Sequence, residues 1–236
     1  MATDTKVLEK LAGISTATLT TQLFGRGLRN CYLVGVRPLN PTASRFAGPA
    51  FTLRHIPARE DVALPEVRKN PGYPQRKAIE TAPRGSVLVA DTGRELRAGV
   101  AGDILVGRLR QRGVAALVTD GAMRDTPVIA GMDWPVFCAG AAAPASYAAL
   151  HAVDIQVPIG CAGVAIYPHD ILVGDGDGVV VIPQALAAEL ADAASEQERY
   201  ERFVQSRVAA GHSTIGLYPP GEQALADYAE WQDAQA

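Results

Sequence analysis

Apolar positions along the chain change period twice. Val7, Leu8 and Leu11 recur with helical spacing over residues 5–12. Ser15 then stands where a second helix would be capped, running through Phe24 and ended by Gly25 and Gly27. From residue 32 the spacing shortens. Tyr32–Val36 and Ala50–Ile56 read as strands, and Gln75–Thr81 as a short helix. The charged, proline-bearing stretch between Pro57 and Pro74 is a loop long enough for a lid or a subunit contact. Ser86–Ala90 is a near-continuous apolar run, the pattern of a strand buried on both faces. After the turn Asp91-Thr-Gly-Arg-Glu95, Asp103 precedes Ile104, Leu105, Val106 and Leu109, and Gly113 is placed to stop a helix there. Ala115–Thr119 is a short apolar strand running into the turn signal Asp120-Gly121. Asp125 precedes Thr126-Pro127, which suits a short helix with proline in its first turn.

The second half is denser in strands. Trp134–Ala139, Ile155–Ile159, Val164–Tyr167, Ile171–Val173 and Val179–Ile182 follow in quick succession, which favours antiparallel hairpins over further βαβ units. Ala185–Ala210 reads as one long helix stopped by Gly211. The tail, Ser213–Ala236, carries Tyr218-Pro-Pro-Gly and a final short helix.

Composition narrows the classes. The 236 residues are 48% hydrophobic, enough for one good-sized domain with a real core. A net charge of −3 gives no polyanion-binding surface, so no nucleic-acid partner is expected. Met1–Lys10 is charged throughout, unlike a signal peptide. No apolar run approaches membrane-spanning length, and Ala139–Leu150 is short and interrupted by Pro144, so no membrane partner is expected. Cys31, Cys138 and Cys161 are odd in number and widely spaced, which predicts buried, reduced thiols and a cytoplasmic protein. His55, His151, His169 and His212 share no metal-ligand spacing, against zinc hydrolase chemistry. Gly174-Asp-Gly-Asp-Gly178 lacks the downstream ligands of a calcium loop and reads as a hairpin turn. Neither a dinucleotide fingerprint after a strand nor a Gly-x-Ser-x-Gly elbow occurs.

Two aspartates and an arginine remain at element ends. By spacing alone, Asp103 and Asp125 are either two helix caps with Arg124 as a surface charge, or a working set. In the second case, the carboxylates hold a hard divalent cation and the arginine binds an oxyanion. A βα unit can bring such ends to one sheet edge.

Asp103, twenty intervening residues and Arg124-Asp125 are similar to the signature of the metal-dependent class II pyruvate aldolases of the 4-hydroxy-4-methyl-2-oxoglutarate (HMG/CHA) type. That superfamily also holds the RraA regulators of ribonuclease activity. Arg84-Gly-Ser-Val-Leu-Val-Ala-Asp91, Pro158-Ile-Gly-Cys-Ala-Gly-Val164 and Val173-Gly-Asp-Gly-Asp-Gly-Val-Val-Val-Ile-Pro183 extend the resemblance over about residues 15–212. It implies an α/β fold, a central sheet flanked by helices in a swivelling-domain-like (phosphohistidine-domain-like) α/β/β/α sandwich. Residues 1–212 would form a single RraA-like domain, and 213–236 a tail, a candidate subunit clasp. A homotrimer or homohexamer with active sites between subunits is implied as well.

The implied reaction is cleavage of a 4-hydroxy-2-oxo acid to pyruvate, with decarboxylation of oxaloacetate by the same enolate route, using Mg2+ or Mn2+. By the same resemblance, Asp125 is the direct metal ligand and Arg124 binds the 2-oxo oxygen. Asp103 holds a metal-bound water that acts in proton transfer. The N–H groups of Ile104 and Leu105 bind the substrate carboxylate; as the first unpaired amides of a helix they favour an anion on physical grounds too. Aldolases of this type also bring in a glutamate from the adjacent subunit, for which Glu196, Glu198 and Glu201 are candidates. The competing reading is a non-catalytic regulator that binds an RNA-degrading enzyme. Such regulators typically lack the aspartate after the signature arginine, and Asp125 is present here.

Overall fold

Two capped helices open the chain, α1 (Thr5–Gly13) and α2 (Thr16–Gly25). Asp4 accepts from the Lys6 amide and Ser15 from the Thr18 amide, satisfying first-turn donors that the helices leave unpaired. There follow β1 (Arg37–Pro38), β2 (Phe46–Pro57), α3 (Pro74–Thr81), β3 (Val87–Asp91), α4 (Asp103–Arg112) and β4 (Ala116–Thr119). Next come β5 (Ala122–Met123), α5 (Thr126–Ala130), β6 (Val136–Cys138), β7 (Gly140–Ala141) and β8 (Leu150–Ile155). The hairpin β9 (Ile171–Asp175) and β10 (Gly178–Ile182), then α6 (Ala187–Ala209) and α7 (Glu222–Asp233), complete the computed structural model, which describes residues 3–234. The first two residues of Met1–Lys10 and the last two of the tail lie outside the described residues.

The main sheet runs β1-β6-β4-β3-β2-β9-β10, with β8 also on β2. β2, β3, β4 and β6 are parallel neighbours. The long β2 uses its other edge twice, pairing antiparallel with β9 through Phe46–Pro49 and with β8 through Leu53–Pro57. Tyr32 bridges to Val180 on β10, just before the chain reaches β1 at the opposite end of the sheet order, so the sheet nearly closes on itself.

Strand alternation sorts the side chains into layers. Val87, Val89, Ala116, Val118 and Phe137 face Leu172, Val179 and Val181 in a core between the two halves of the sheet. Their neighbours Leu88, Ala90, Leu117 and Val136 face the opposite way, with Val106, Leu109 and Ile129 of α4 and α5. On the far side, Ile171, Val173, Val180 and Ile182 pack against α1, α2 and α6. The order is therefore helices, sheet, sheet, helices, the expected α/β/β/α sandwich. Near-continuous apolar runs arise because both faces of each strand are covered.

Three expected strands are corrected. Tyr32–Val36 makes only the Tyr32 bridge, because the chain turns at Gly35, φ +86°, and pairing resumes at Arg37. Leu33 and Val36 are still buried, in the core between the sheet halves. Ile155–Ile159 is displaced: the paired segment is Leu150–Ile155, and Gln156, φ 56°, turns the chain off the sheet. Val164–Tyr167 is reduced to a bridge between Ile166 and Ile159. The Gly174–Gly178 turn is the β9–β10 hairpin as expected. Its Asp175 is spent on structure, accepting from the Thr16 amide and hydroxyl, each at 2.8 Å, and from the Asp177 amide. The tail packs on its own chain, with Leu217, Ala224 and Tyr228 against Phe203 and Val204 of α6.

Candidate functional site

The segment from Gly99 to Gly102 is laid beside β5 by backbone bonds. Val100 N–H donates to Ala122 O at 2.8 Å and Arg124 N–H to Ala101 O at 2.9 Å. Gly99 N–H donates to Pro144 O at 2.9 Å, and the Gln75 amide donates to Val100 O. Gln75 therefore roots α3 against the segment that leads into α4. Two glycines permit the approach. A Cβ on Gly99 would stand 2.7 Å from the Arg124 backbone nitrogen, and one on Gly102 would run into the Asp125 carboxylate.

These contacts gather all five residues singled out in the sequence. Asp103, Ile104, Leu105, Arg124 and Asp125 line one cavity of about 220 Å3, together with Gln75, Arg76, Ala145 and Ser146. The volume is small beside the ~300–1,000 Å3 of typical ligand pockets, which suits a short acid.

Neither carboxylate is a conventional cap. Gly102 occupies the cap position of α4, and Asp103 is the first helical residue. Asp125 occupies that position at α5, with φ 53° and ψ 33°, but its side chain bonds no helical amide. Aspartate tolerates this left-handed conformation better than most residues. The conformation leaves the Asp125 side chain exposed and lining the cavity. Arg124 is half-buried, and its Nε is buried with no partner among the described residues. A buried donor left unpaired costs about 1–3 kcal/mol, so an arginine in this state suits an incoming acceptor.

The amides of α4 differ from expectation in one respect. Ile104 N–H already donates to Asp103 Oδ1 at 2.8 Å, so it is engaged within its own turn. The first α4 amide to bond back along the backbone is that of Val106, to Gly102 O. Leu105 N–H is thus the amide left for an anion.

The donor set fits a hard cation. Two carboxylates face one cavity beside the unpaired arginine, and Gly102 leaves the space that the Asp125 carboxylate fills. Among the described residues, no group of three or more His, Cys, Asp or Glu side chains could hold a metal ion. Asp125 and Asp103 would share a cation that keeps most of its waters, the habit of Mg2+.

The three candidate glutamates are occupied on α6 and do not line this cavity. Glu198 accepts from the Ser15 amide at 2.7 Å, and Glu196 from the Tyr228 hydroxyl at 2.8 Å. Glu201 accepts from Gln197 and Tyr218. The three cysteines are free and buried, and burial pushes the Cys138 thiol up to about 11, which makes it a poor nucleophile. His55 is buried; desolvation lowers its pKa to about 4, against the Asp91 carbonyl 3.0 Å from Nδ1. Gln75 and Arg76 carried no signal in the sequence, and His55 only the absence of metal-ligand spacing. No helix among the described residues is long and apolar enough to cross a membrane.

The family model RraA-like (Aldolase/RraA) matches residues 16–181. A Halalkalibacterium halodurans protein provisionally named a 4-hydroxy-4-methyl-2-oxoglutarate aldolase is 32% identical over 179 residues, 74% of this chain and 79% of that protein. The Thermus thermophilus 4-hydroxy-4-methyl-2-oxoglutarate aldolase is 33% identical over 142 residues, 60% of this chain and 77% of its own. Among solved structures, Streptomyces coelicolor RraAS2, described as an unusual member of the RNase ES inhibitor RraA family, superposes with a TM-score of 0.77. It is 32% identical, over 87% of this chain and 98% of that one.

Proposed function

The chain belongs to the RraA-like (Aldolase/RraA) family, and from that premise we propose that it is a cytoplasmic carbon–carbon lyase. It cleaves a 4-hydroxy-2-oxo acid to pyruvate with the help of Mg2+ or Mn2+, and it decarboxylates oxaloacetate. The observation that carries this reading is the convergence of Asp103, Arg124, Asp125 and the start of α4 on one small cavity.

Asp125 would hold the cation directly and Asp103 through water; when bound, the cation supplies Lewis-acid polarisation of the 2-oxo group. Leu105 N–H receives the substrate carboxylate, joined by Ile104 N–H once Asp103 releases it. Arg124 donates to the 2-oxo oxygen, where negative charge grows as the C3–C4 bond breaks. Its planar, paired donors suit that task better than a single ammonium. Asp103 would hold the water that passes a proton to the enolate carbon. No third carboxylate lines the cavity to act as base at a 4-hydroxyl. We assign that role to a glutamate of a neighbouring subunit in a homotrimer or homohexamer, with Glu196, Glu198 and Glu201 as candidates.

Oxaloacetate needs no such base, so its decarboxylation tests the cavity alone. Wild-type protein with Mg2+ should release pyruvate well above the rate of Asp125→Ala at equal metal, and chelator should abolish the difference. Equal rates would remove the lyase reading. They would promote the second one, a regulator that binds an RNA-degrading enzyme, which the likeness to RraAS2 supports.

A further inference from the structure

A larger cavity, of about 550 Å3, is lined by α2, the loop that follows it and Asp177 of the β9–β10 turn. It shares no residue with the cavity at α4, and Cys31 and Tyr32 of its lining pack in the helical layer of α1, α2 and α6. Its volume falls within the ~300–1,000 Å3 of typical ligand pockets. Hydrogen bonds fix its walls. The Thr16 amide donates to Asp175, Val181 N–H to Cys31 O at 2.8 Å, and the Tyr32 hydroxyl to Asp177 O at 2.6 Å. At the end of α2, Gly27 N–H donates to Phe24 O and Leu28 N–H to Leu23 O, closing the helix and turning the chain. Arg29 then lies over the Phe24 ring, its guanidinium carbon 5.4 Å from the centroid.

The lining sorts into apolar surface and two charges. Ala17, Phe24, Leu28 and Cys31 are apolar, and the Phe24 side chain is left 63% exposed. The threonine hydroxyls are already engaged, Thr16 with Asp175, and Thr20 and Thr21 with Ala17 O. Arg26 and Arg37 are engaged too, the first by Glu189 and the second by Tyr32 and the Asp177 carbonyl. Among the described residues, neither the Arg29 guanidinium nor the Asp177 carboxylate has a hydrogen bond or ion pair. One unpaired cation and one unpaired anion beside an apolar surface match a ligand that carries both charges and a large apolar group. An acid alone would leave Asp177 unanswered, and an amine alone Arg29. The paired donors of an arginine suit a carboxylate, and an exposed aromatic ring suits a second apolar or aromatic group.

We propose that this cavity binds a free amino acid with a large apolar side chain, its carboxylate on Arg29, its ammonium on Asp177 and its side chain against Phe24. The site stands apart from the lyase reading and does not depend on it. Calorimetry on the full chain compares L-phenylalanine with 3-phenylpropanoate, which lacks the ammonium, and with 2-phenylethylamine, which lacks the carboxylate. Phenylalanine should bind saturably, one per chain, with Kd of about 1 mM or tighter. Each truncated ligand should bind about tenfold more weakly, the low end for a hydrogen bond to a charged group. In Arg29→Gln, phenylalanine should bind no better than phenylethylamine, and in Asp177→Asn no better than phenylpropanoate. Arg29, Asp177 and Phe24 are exposed, so these variants and Phe24→Ser should melt with wild type.

Phe24→Ser should weaken all three ligands together. Chelator and Asp125→Ala should leave phenylalanine binding unchanged, because the α4 cavity is separate. Absence of saturable binding, equal affinity for the three ligands, or a preference that survives Arg29→Gln and Asp177→Asn would each overturn the assignment. So would binding that is lost in Asp125→Ala, which would place the ligand in the α4 cavity. A smaller assembly in Phe24→Ser, seen by sedimentation, would overturn it as well, by showing that a second copy of the chain covers this face.

Discussion

Asp125 reaches the cavity through a backbone conformation that its place in the sequence does not reveal. As a residue before Thr-Pro it reads equally as a cap, yet its left-handed φ of 53° leaves the side chain off the helix and on the cavity. Asp103, Arg124 and Asp125 were legible because their spacing matches a known signature. Gln75 and Arg76 were not, because the contact that brings them in, Gln75 to Val100 O, joins segments 25 residues apart. His55 was legible only as lacking metal spacing, whereas its environment makes it a pH-sensitive part of the fold. Burial lowers its pKa from 6.5 to about 4, so the folded protein keeps it neutral. The unfolded chain takes up a proton as pH falls through 6.5, and the folded one does not until about 4. Its contribution is therefore complete above pH 6.5 and is lost progressively down to about pH 4. Between pH 7 and pH 5 this term should remove about 2 kcal/mol of stability. His55→Asn, which keeps a donor for the Asp91 carbonyl, should lower stability at pH 7 and flatten its decline. Urea midpoints at the two pH values check this, and an equally steep decline in the variant would assign the slope to other groups.

At the scale of elements, the fold was read most accurately where both faces of a strand are covered or a helix is capped. β3, β4, the β9–β10 hairpin, α2 and α4 all stand within a residue or two of their expected limits. The errors at Tyr32–Val36 and Ile155–Ile159 share a cause: apolar composition reported burial, and burial was met with single bridges in place of a continuous strand. Leu33, Val36 and Ile159 are all in the core between the sheet halves, while the chain turns nearby at Gly35 and Gln156. The glycines at the mouth of α4 separate two kinds of constraint that sequence cannot distinguish. Gly102 has φ −118° and ψ −175°, extended backbone open to any residue, and an added Cβ clashes with the Asp125 side chain alone, the Arg124 Cβ standing at an ordinary 3.6 Å. Gly99 has backbone as its obstacle, at Arg124 N and Met123 C. Gly102→Ala should therefore stay within about 1 kcal/mol of wild-type stability, in the range of ordinary substitutions, and lose Mg2+ affinity and turnover together. Gly99→Ala should lose both stability and activity, by overpacking at about 1–3 kcal/mol. Calorimetric Mg2+ titration beside thermal melts would separate them; an active Gly102→Ala would show that the Asp125 carboxylate need not occupy its observed position.

Across the whole molecule, the site lies on the outer side of the sheet half that faces α3, α4 and α5, while the two halves are joined through the core between them. Phe46, at the start of β2, meets Phe137 of β6 edge-on, with ring centroids 5.4 Å apart and planes at 73°. Phe46 pairs through its backbone with Gly174 of β9, where any Cβ would run into the Phe46 ring. Gly174, which the sequence explains as part of a hairpin turn, is thus needed one layer away, for the packing of the sheet halves. Phe137 is fully buried and its ring fills the interior of a nearly closed sheet. Phe137→Ala should cost about 3–5 kcal/mol, the transfer term plus a cavity that a closed sheet cannot collapse to fill. Because β6 pairs with β4, whose end leads to Arg124 and Asp125, the loss should appear as one cooperative transition, without prior release of the site. Denaturant unfolding followed by fluorescence, beside Mg2+-dependent turnover over the same range, measures both. A cost below about 1 kcal/mol would mean the interior relaxes around the missing ring, against the close packing expected of protein cores. Loss of turnover well before unfolding would mean that the site segment opens independently of the layer beneath it.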